Sequence, residues 1–142
     1  MKKKAIISAC LLGLDCRYDG KNNYIGDEKL KKLMDNYELI PVCPEAYGGL
    51  TTPRTPSERV GDKVLSKLGD DVTREYENGA QAALYLARLY GCDCAVMKAN
   101  SPSCGSGTIY DGTFTGELTS GYGVAAELLK KNGICVIDEN EI

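Results

Sequence analysis

Four short apolar runs, separated by longer amphipathic segments, constrain the fold of this chain more than any other feature. The runs are KAIISAC, LIPVC, CAVMKA and ICVID, and each has the length of a strand buried in a parallel sheet. Strands that alternate with helices predict an α/β fold. We therefore expect three layers, in which helices flank a mostly parallel, Rossmann-like sheet.

The segments between the runs include three predicted helices. In DVTREYENGAQAALYLARLYG one apolar stripe recurs at steps of three and four, formed by Tyr76, Ala80, Ala83, Ala87 and Tyr90. In SGYGVAAELLKKNG, Ser120 is the expected N-cap and Gly133 the stop. The shorter segment GDEKLKKLMDNY is expected to turn Leu30, Leu33 and Met34 toward the core.

Two stretches depart from this alternation of strands and helices. The proline-rich TTPRTPSERVGDKVLSKLGD predicts an ordered loop with a small hairpin that turns at Gly61 and Asp62. The glycine-rich DGTFTGELTSGYG runs into a predicted helix, so it is either a simple loop or an anion site at the helix N-terminus.

Length and charge limit the class of protein. A chain of 142 residues is expected to form one domain over 1–142. With 17 basic and 20 acidic side chains, it lacks the basic footprint of a general nucleic-acid binder, although recognition of a small molecule stays open. The N-terminal MKKKAIISAC is too short for a signal peptide and no run reaches transmembrane length, so we expect a cytoplasmic protein without a membrane partner.

Cysteine and histidine usage restricts the chemistry. The chain has no histidine, which excludes Cys–His and Ser–His dyads and removes the commonest general base. It has seven cysteines, an odd number without an export signal. This usage indicates free thiols, metal ligands or a redox function rather than a disulfide framework.

Three cysteines stand where predicted strands end. Cys10 closes AIISAC, Cys43 closes LIPVC, and Cys104 lies in the turn that ends CAVMKANSPSC. Because the carboxyl ends of parallel strands meet at one edge of a sheet, the three thiols are predicted to converge there. The sequence leaves three interpretations open: a metal or cluster site, with zinc or iron–sulfur as candidates, a redox thiol, or inert thiols.

The other four cysteines carry weaker signals. Cys135 lies inside ICVID and is expected in the core, as are Cys92 and Cys94 at the start of another strand. Cys16 follows Cys10 on the same loop and is either a spare thiol or a fourth ligand.

The stretches SACLLGLDCRYDG, CPEAYGGLTTPRTPSE, DVTREYENGA and KANSPSCGSGTIYDGTFTG together resemble the family known as domain of unknown function 523. Its functionally assigned members are thiouracil desulfidases. The resemblance implies an α/β domain with a [4Fe-4S] cluster on three cysteines, which fall on Cys10, Cys43 and Cys104. A cubane held by three cysteines leaves one iron without a protein ligand, available as a Lewis acid.

Two further residues match positions that have catalytic roles in the desulfidases this chain resembles. They are Glu45, two residues after Cys43, and Ser101, three residues before Cys104. In a chain without histidine a carboxylate is the natural proton-transfer group. The alternatives are a helix cap for Glu45 and a turn hydroxyl for Ser101.

Two arginines have an open role. Arg17 and Arg54 lie in the loops that follow the first and second of these cysteines, and each either binds a substrate carbonyl, carboxylate or phosphate or pairs with a neighbouring acid.

These observations predict an iron–sulfur enzyme that removes sulfur from thiouracil or a related small thiocarbonyl compound by non-redox Lewis-acid chemistry. The alternatives are a non-enzymatic cluster or sulfide carrier and a zinc-binding structural or regulatory module. Desulfidases of this kind often carry a second, C-terminal domain, whereas this chain resembles the stand-alone form. A partner that replaces that domain is therefore an open expectation.

Overall fold

The computed structural model describes residues 2–142. In chain order its elements are β1 (Lys3–Ser8), α1 (Asp27–Asn36), β2 (Tyr37–Val42), α2 (Pro44–Tyr47), β3 (Ser57–Val60), β4 (Lys63–Ser66), α3 (Thr73–Leu89), β5 (Cys94–Val96), β6 (Ser106–Tyr110), β7 (Leu118–Tyr122), α4 (Val124–Lys131) and β8 (Cys135–Ile137). Short 3-10 helices cover Ala9–Leu12 and Glu139–Glu141.

The four apolar runs form one parallel sheet in the order β2-β1-β5-β8. After β1 the chain adds β2 on one side and then crosses to place β5 on the other side of β1. The boundary between β1 and β5 is therefore a topological switch point, and ligands of open parallel sheets bind beyond the strand ends at such a point.

Helices cover both faces of this sheet. On one face, α3 and α4 pack against the buried side chains of Ile6, Ala95 and Val136. On the other face Ile7 and Val96 contact Leu33 of α1 and Leu11 of the first 3-10 helix. Each buried aliphatic side chain contributes about 1.5–3 kcal/mol, so both faces stabilise the sheet. The predicted three-layer α/β fold is confirmed.

The predicted helices exist, with three local corrections. Tyr76, Ala80, Ala83 and Ala87 of α3 are buried as expected, but Tyr90 lies past the last helical residue and is 45% exposed. In α1 the buried position belongs to Leu33, and Met34, one residue further around the helix, is exposed. Ser120 is not an N-cap, because it lies in β7 and Gly123 precedes α4.

Two hairpins extend from the sheet core. The first pairs β3 with β4 around Gly61, as predicted. The second pairs β6 with β7, where the sequence predicted only a glycine-rich loop. In the connection of this second hairpin, the backbone amides of Gly112 and Phe114 donate 2.9 and 3.1 Å hydrogen bonds to Oε1 of Glu58. These two loop amides therefore bind a carboxylate side chain of the protein itself, not an external anion.

Within residues 2–142, no helix has both the length and the apolar character that a bilayer-crossing segment requires.

Candidate active site

A cavity of about 460 Å³ opens at the carboxyl ends of β1, β2 and β5. It is lined by the five predicted ligand and catalytic residues, namely Cys10, Cys43, Glu45, Ser101 and Cys104. They come from three loops that are far apart along the chain, and each loop is fixed by its own set of contacts.

The first loop leaves β1 through the 3-10 helix Ala9–Leu12, which ends at Gly13 with φ +95°. The carbonyl oxygen of Cys10 accepts hydrogen bonds from the backbone amides of Gly13 at 3.2 Å and Asn23 at 2.9 Å. Burial raises the pKa of the Cys10 thiol, and a hydrogen bond from the Asn23 side chain to the sulfur opposes that rise. Asn23 also lines the cavity.

The second loop places Cys43 and Glu45 at the start of α2, which packs directly on α3. Two glycines allow this approach. A Cβ on Gly79 would stand 1.8 Å from the carbonyl oxygen of Pro44, and a Cβ on Gly48 would stand 1.9 Å from that of Glu75. Because these contacts join backbone to backbone, they hold the second loop rigidly on α3.

The third loop is anchored to the N-terminus of α4. The carbonyl oxygens of Pro102 and Ser103 each accept a 2.9 Å hydrogen bond, from the amides of Val124 and Ala125. Ser101 Oγ accepts 3.1 Å hydrogen bonds from the amides of Ser103 and Cys104. Ser101 therefore orders the turn, and its hydroxyl proton is still available to a group in the cavity.

The sulfur environments differ among the three cysteines. Cys104 is 4% exposed, and burial raises the pKa of its thiol, while the neighbouring Ser8 and Ser103 hydroxyls act in the opposite direction. The pKa of Cys43 is lowered, first by a hydrogen bond from the Cys16 thiol, although burial opposes this effect. The same contact, followed by burial, raises the pKa of Cys16.

Cys16 thus belongs to the cavity as a neighbour of Cys43. The Cys43 sulfur lies 3.9 Å from the Cys16 carbonyl oxygen. Cys92 and Cys94 are buried, as predicted. The prediction for Cys135 is wrong, because this residue begins the edge strand β8 and is exposed.

The donor set of the cavity is rich in sulfur, which fits an iron–sulfur cluster. Two thiolates on one zinc ion lie about 3.8 Å apart, since each Zn–S bond is about 2.3 Å. Within residues 2–142 no three Cys, Asp or Glu side chains converge closely enough to hold one ion. Thiolates that bind different irons of a cluster need more space between them, and sulfur is the donor that iron–sulfur clusters require.

Ser103 adds a second observation. Its Oγ is fully buried and has no hydrogen-bond partner of good geometry among the described residues. An unpaired buried hydroxyl is costly unless something accepts its proton. The neighbouring Cys104 sulfur becomes such an acceptor when it is a thiolate ligand, because hydrogen bonds to cluster sulfurs are a common outer contact.

Glu45 is paired with Arg54. The Nη2 atom of Arg54 lies 2.5 Å from Oε2 of Glu45, and the side chains are only 7% and 15% exposed. Burial alone would lower the pKa of Arg54, but the Glu45 carboxylate outweighs it and raises that pKa. Of the two open interpretations for this arginine, the structure supports the ion pair with an acid.

Sequence reasoning missed several lining residues. Lys98 lies two residues after the end of β5, and the argument from strand ends that selected the cysteines applies to it equally. Asn23 and Ser8 had no distinguishing signal, because their hydrogen bonds to Arg17 and to the Lys98 amide join segments that are distant or not patterned along the chain.

The chain is similar to several known proteins. A sequence model of the 2-thiouracil desulfurase family matches residues 5–141. The uncharacterized protein YbbK of Bacillus subtilis (strain 168) is 42% identical over 147 residues, which cover 96% of each chain. A solved structure of TudS, described as a [4Fe-4S]-dependent thiouracil desulfidase, superposes with a TM-score of 0.93 at 44% identity and covers 99% of this chain and 93% of that chain.

Proposed function

Because the chain belongs to the 2-thiouracil desulfurase family, we propose that it is a [4Fe-4S]-dependent desulfidase. Its substrate is thiouracil or a related small thiocarbonyl compound. The observation that carries the proposal is the convergence of Cys10, Cys43 and Cys104 on one cavity that Glu45 and Ser101 also line. In this proposal residues 1–142 form one iron–sulfur-binding domain.

Cys10, Cys43 and Cys104 are the proposed cluster ligands, each supplied by a different loop. When bound on three cysteines, the cluster supplies one iron that has no protein ligand and acts as a Lewis acid on the carbon–sulfur bond. The hydrogen bonds around the cavity fix the orientation of the loops that hold these sulfurs.

The net reaction exchanges sulfur for oxygen. Water adds at the thiocarbonyl carbon, the C=S bond breaks, and the products are the carbonyl compound and hydrogen sulfide. No electron is gained or lost. Glu45 accepts a proton from the attacking water, and the free Ser101 hydroxyl proton orients the water or the ring by a hydrogen bond.

Anaerobic reconstitution with iron and sulfide, followed by assays with 2-thiouracil and 4-thiouracil, tests this proposal. We expect a brown protein that contains iron and labile sulfide. During turnover, the absorption band of at least one of the two thiouracils should disappear. Alanine at Cys10, Cys43 or Cys104 should abolish both the colour and the turnover. Cys135→Ala is the matched control, because that thiol is exposed on an edge strand and should leave both unchanged.

The outcomes separate the alternatives. Zinc without labile sulfide after anaerobic purification and reconstitution would contradict the proposed cofactor. A protein that carries a full cluster but turns over neither thiouracil would favour a function as a cluster or sulfide carrier. Full turnover in a cluster-free cysteine variant would refute the mechanism.

A further inference from the structure

Arg54 is a buried arginine that joins three segments around the cavity. Its Nη2 donates to Glu45 Oε2 at 2.5 Å and to the Cys16 carbonyl oxygen at 2.9 Å. Its backbone amide donates to the Tyr18 carbonyl oxygen at 2.8 Å. One residue therefore connects the loop after the first cysteine, the helix α2, and its own loop beyond α2.

The donors of this guanidinium are almost fully used within the protein. Nη1 donates at 3.2 Å to the Thr51 carbonyl oxygen and at 3.0 Å to Thr52 Oγ1, and Nη2 makes the two contacts given above. A guanidinium has five N–H groups, so one remains. Arg54 consequently lacks the free fork that binding of a substrate carboxylate or phosphate requires.

The contact with Arg54 also defines the orientation of Glu45. This residue sits on a helix of only four residues, and its side chain has three rotatable bonds. Arg54 is the charged partner of Oε2, while Oε1 has no hydrogen-bond donor from residues 2–142. The free oxygen is the one available to a molecule in the cavity, which Glu45 lines.

We propose that Arg54 is the positioning residue of the reaction: its Nη2 fixes one carboxylate oxygen of Glu45, so that the other faces the reacting water. This inference rests on the proposed function, because it assigns a role around the same carboxylate. A lysine keeps the charge but lacks the second nitrogen that bonds to Thr51 and Thr52 and so orients the guanidinium. A catalytic group displaced by about 1 Å loses on the order of 100-fold in rate.

Three variants test the role of Arg54. Arg54→Lys and Arg54→Ala are reconstituted anaerobically beside the wild type, and kcat, KM and iron per chain are measured for each. We expect kcat to fall by about 100-fold, with KM and iron content close to wild type. Arg59→Lys is the matched control, since Arg59 is also a largely buried arginine with a carboxylate partner, Glu127 at 3.0 Å, but lies away from this cavity.

Chemical rescue distinguishes positioning from packing. Arg54→Ala leaves a guanidinium-sized gap beside the cavity, and added guanidinium ion should restore part of kcat in that variant alone. An unchanged kcat in both Arg54 variants would overturn the inference. A fall in kcat that is proportional to a fall in iron per chain would also overturn it. If the wild type carries a full cluster and still turns over neither thiouracil, the proposed function fails instead, before any Arg54 variant is compared.

Discussion

Substitution of Gly79 by alanine sets two physical effects against each other. Alanine is the better helix former in the middle of α3, by about 0.5–1 kcal/mol. However, its Cβ would stand 1.8 Å from the Pro44 carbonyl oxygen, whereas ordinary contact begins at 3.4 Å. The two backbones must therefore separate by about 1.6 Å.

The steric effect should prevail. Both atoms at the clash belong to, or are fixed by, backbone, so no side-chain rotation relieves it. Overpacking of this kind costs about 1–3 kcal/mol and occasionally more, which exceeds the gain in helix propensity. Because Pro44 lies between Cys43 and Glu45, the same shift displaces a proposed ligand and a proposed catalytic group together.

Urea unfolding of cluster-free protein measures the loss of stability. We expect Gly79→Ala to lower the free energy of unfolding by about 1–2 kcal/mol. Iron content and turnover after reconstitution measure the displacement of Cys43 and Glu45, and both should fall. Asn78→Ala is the control, because it raises helix propensity at an exposed position of the same helix and should not destabilise the protein. A Gly79→Ala protein as stable and as fully loaded as the wild type would refute the reasoning.

Three other variants probe single contacts. Cys16→Ala removes the hydrogen bond that lowers the pKa of Cys43, so alkylation of Cys43 in cluster-free protein should require a higher pH than in the wild type. Ser103→Ala removes a donor beside the Cys104 sulfur, and the reconstituted protein should lose its cluster colour several-fold faster in air. The unfolding profile of this variant should stay unchanged, which would contradict a purely structural role for Ser103. Glu58→Ala leaves the amides of the glycine-rich loop without their acceptor, which should raise KM while iron content stays constant.

The sequence supported the sheet and the three converging cysteines because both depend on local patterns. Strand length, apolar content and the positions of Cys10 and Cys43 just beyond strands are visible along the chain, as is Cys104 in the turn that follows the next buried strand. The parallel arrangement then brings the strand ends to one edge without any further information.

The parts that could not be predicted depend on contacts between distant segments. The pairing of β6 with β7 was missed because its strands are glycine-rich and mostly exposed, so they lack the alternation that marks a strand. The exposure of Cys135 follows from the edge position of β8, and strand order is not a local property. The choice of Glu45 as the partner of Arg54 likewise depends on how two loops meet.

The separate anchoring of the three cysteine loops also bears on the order of assembly. Each loop is held by backbone contacts to a different part of the chain: the Asn23 segment, α3 and α4. The two apolar layers that stabilise the sheet lie on its faces and do not depend on the cavity. We therefore expect this chain, unlike zinc fingers that are unfolded without metal, to fold first, accept its inorganic centre last, and survive repeated stripping and reloading.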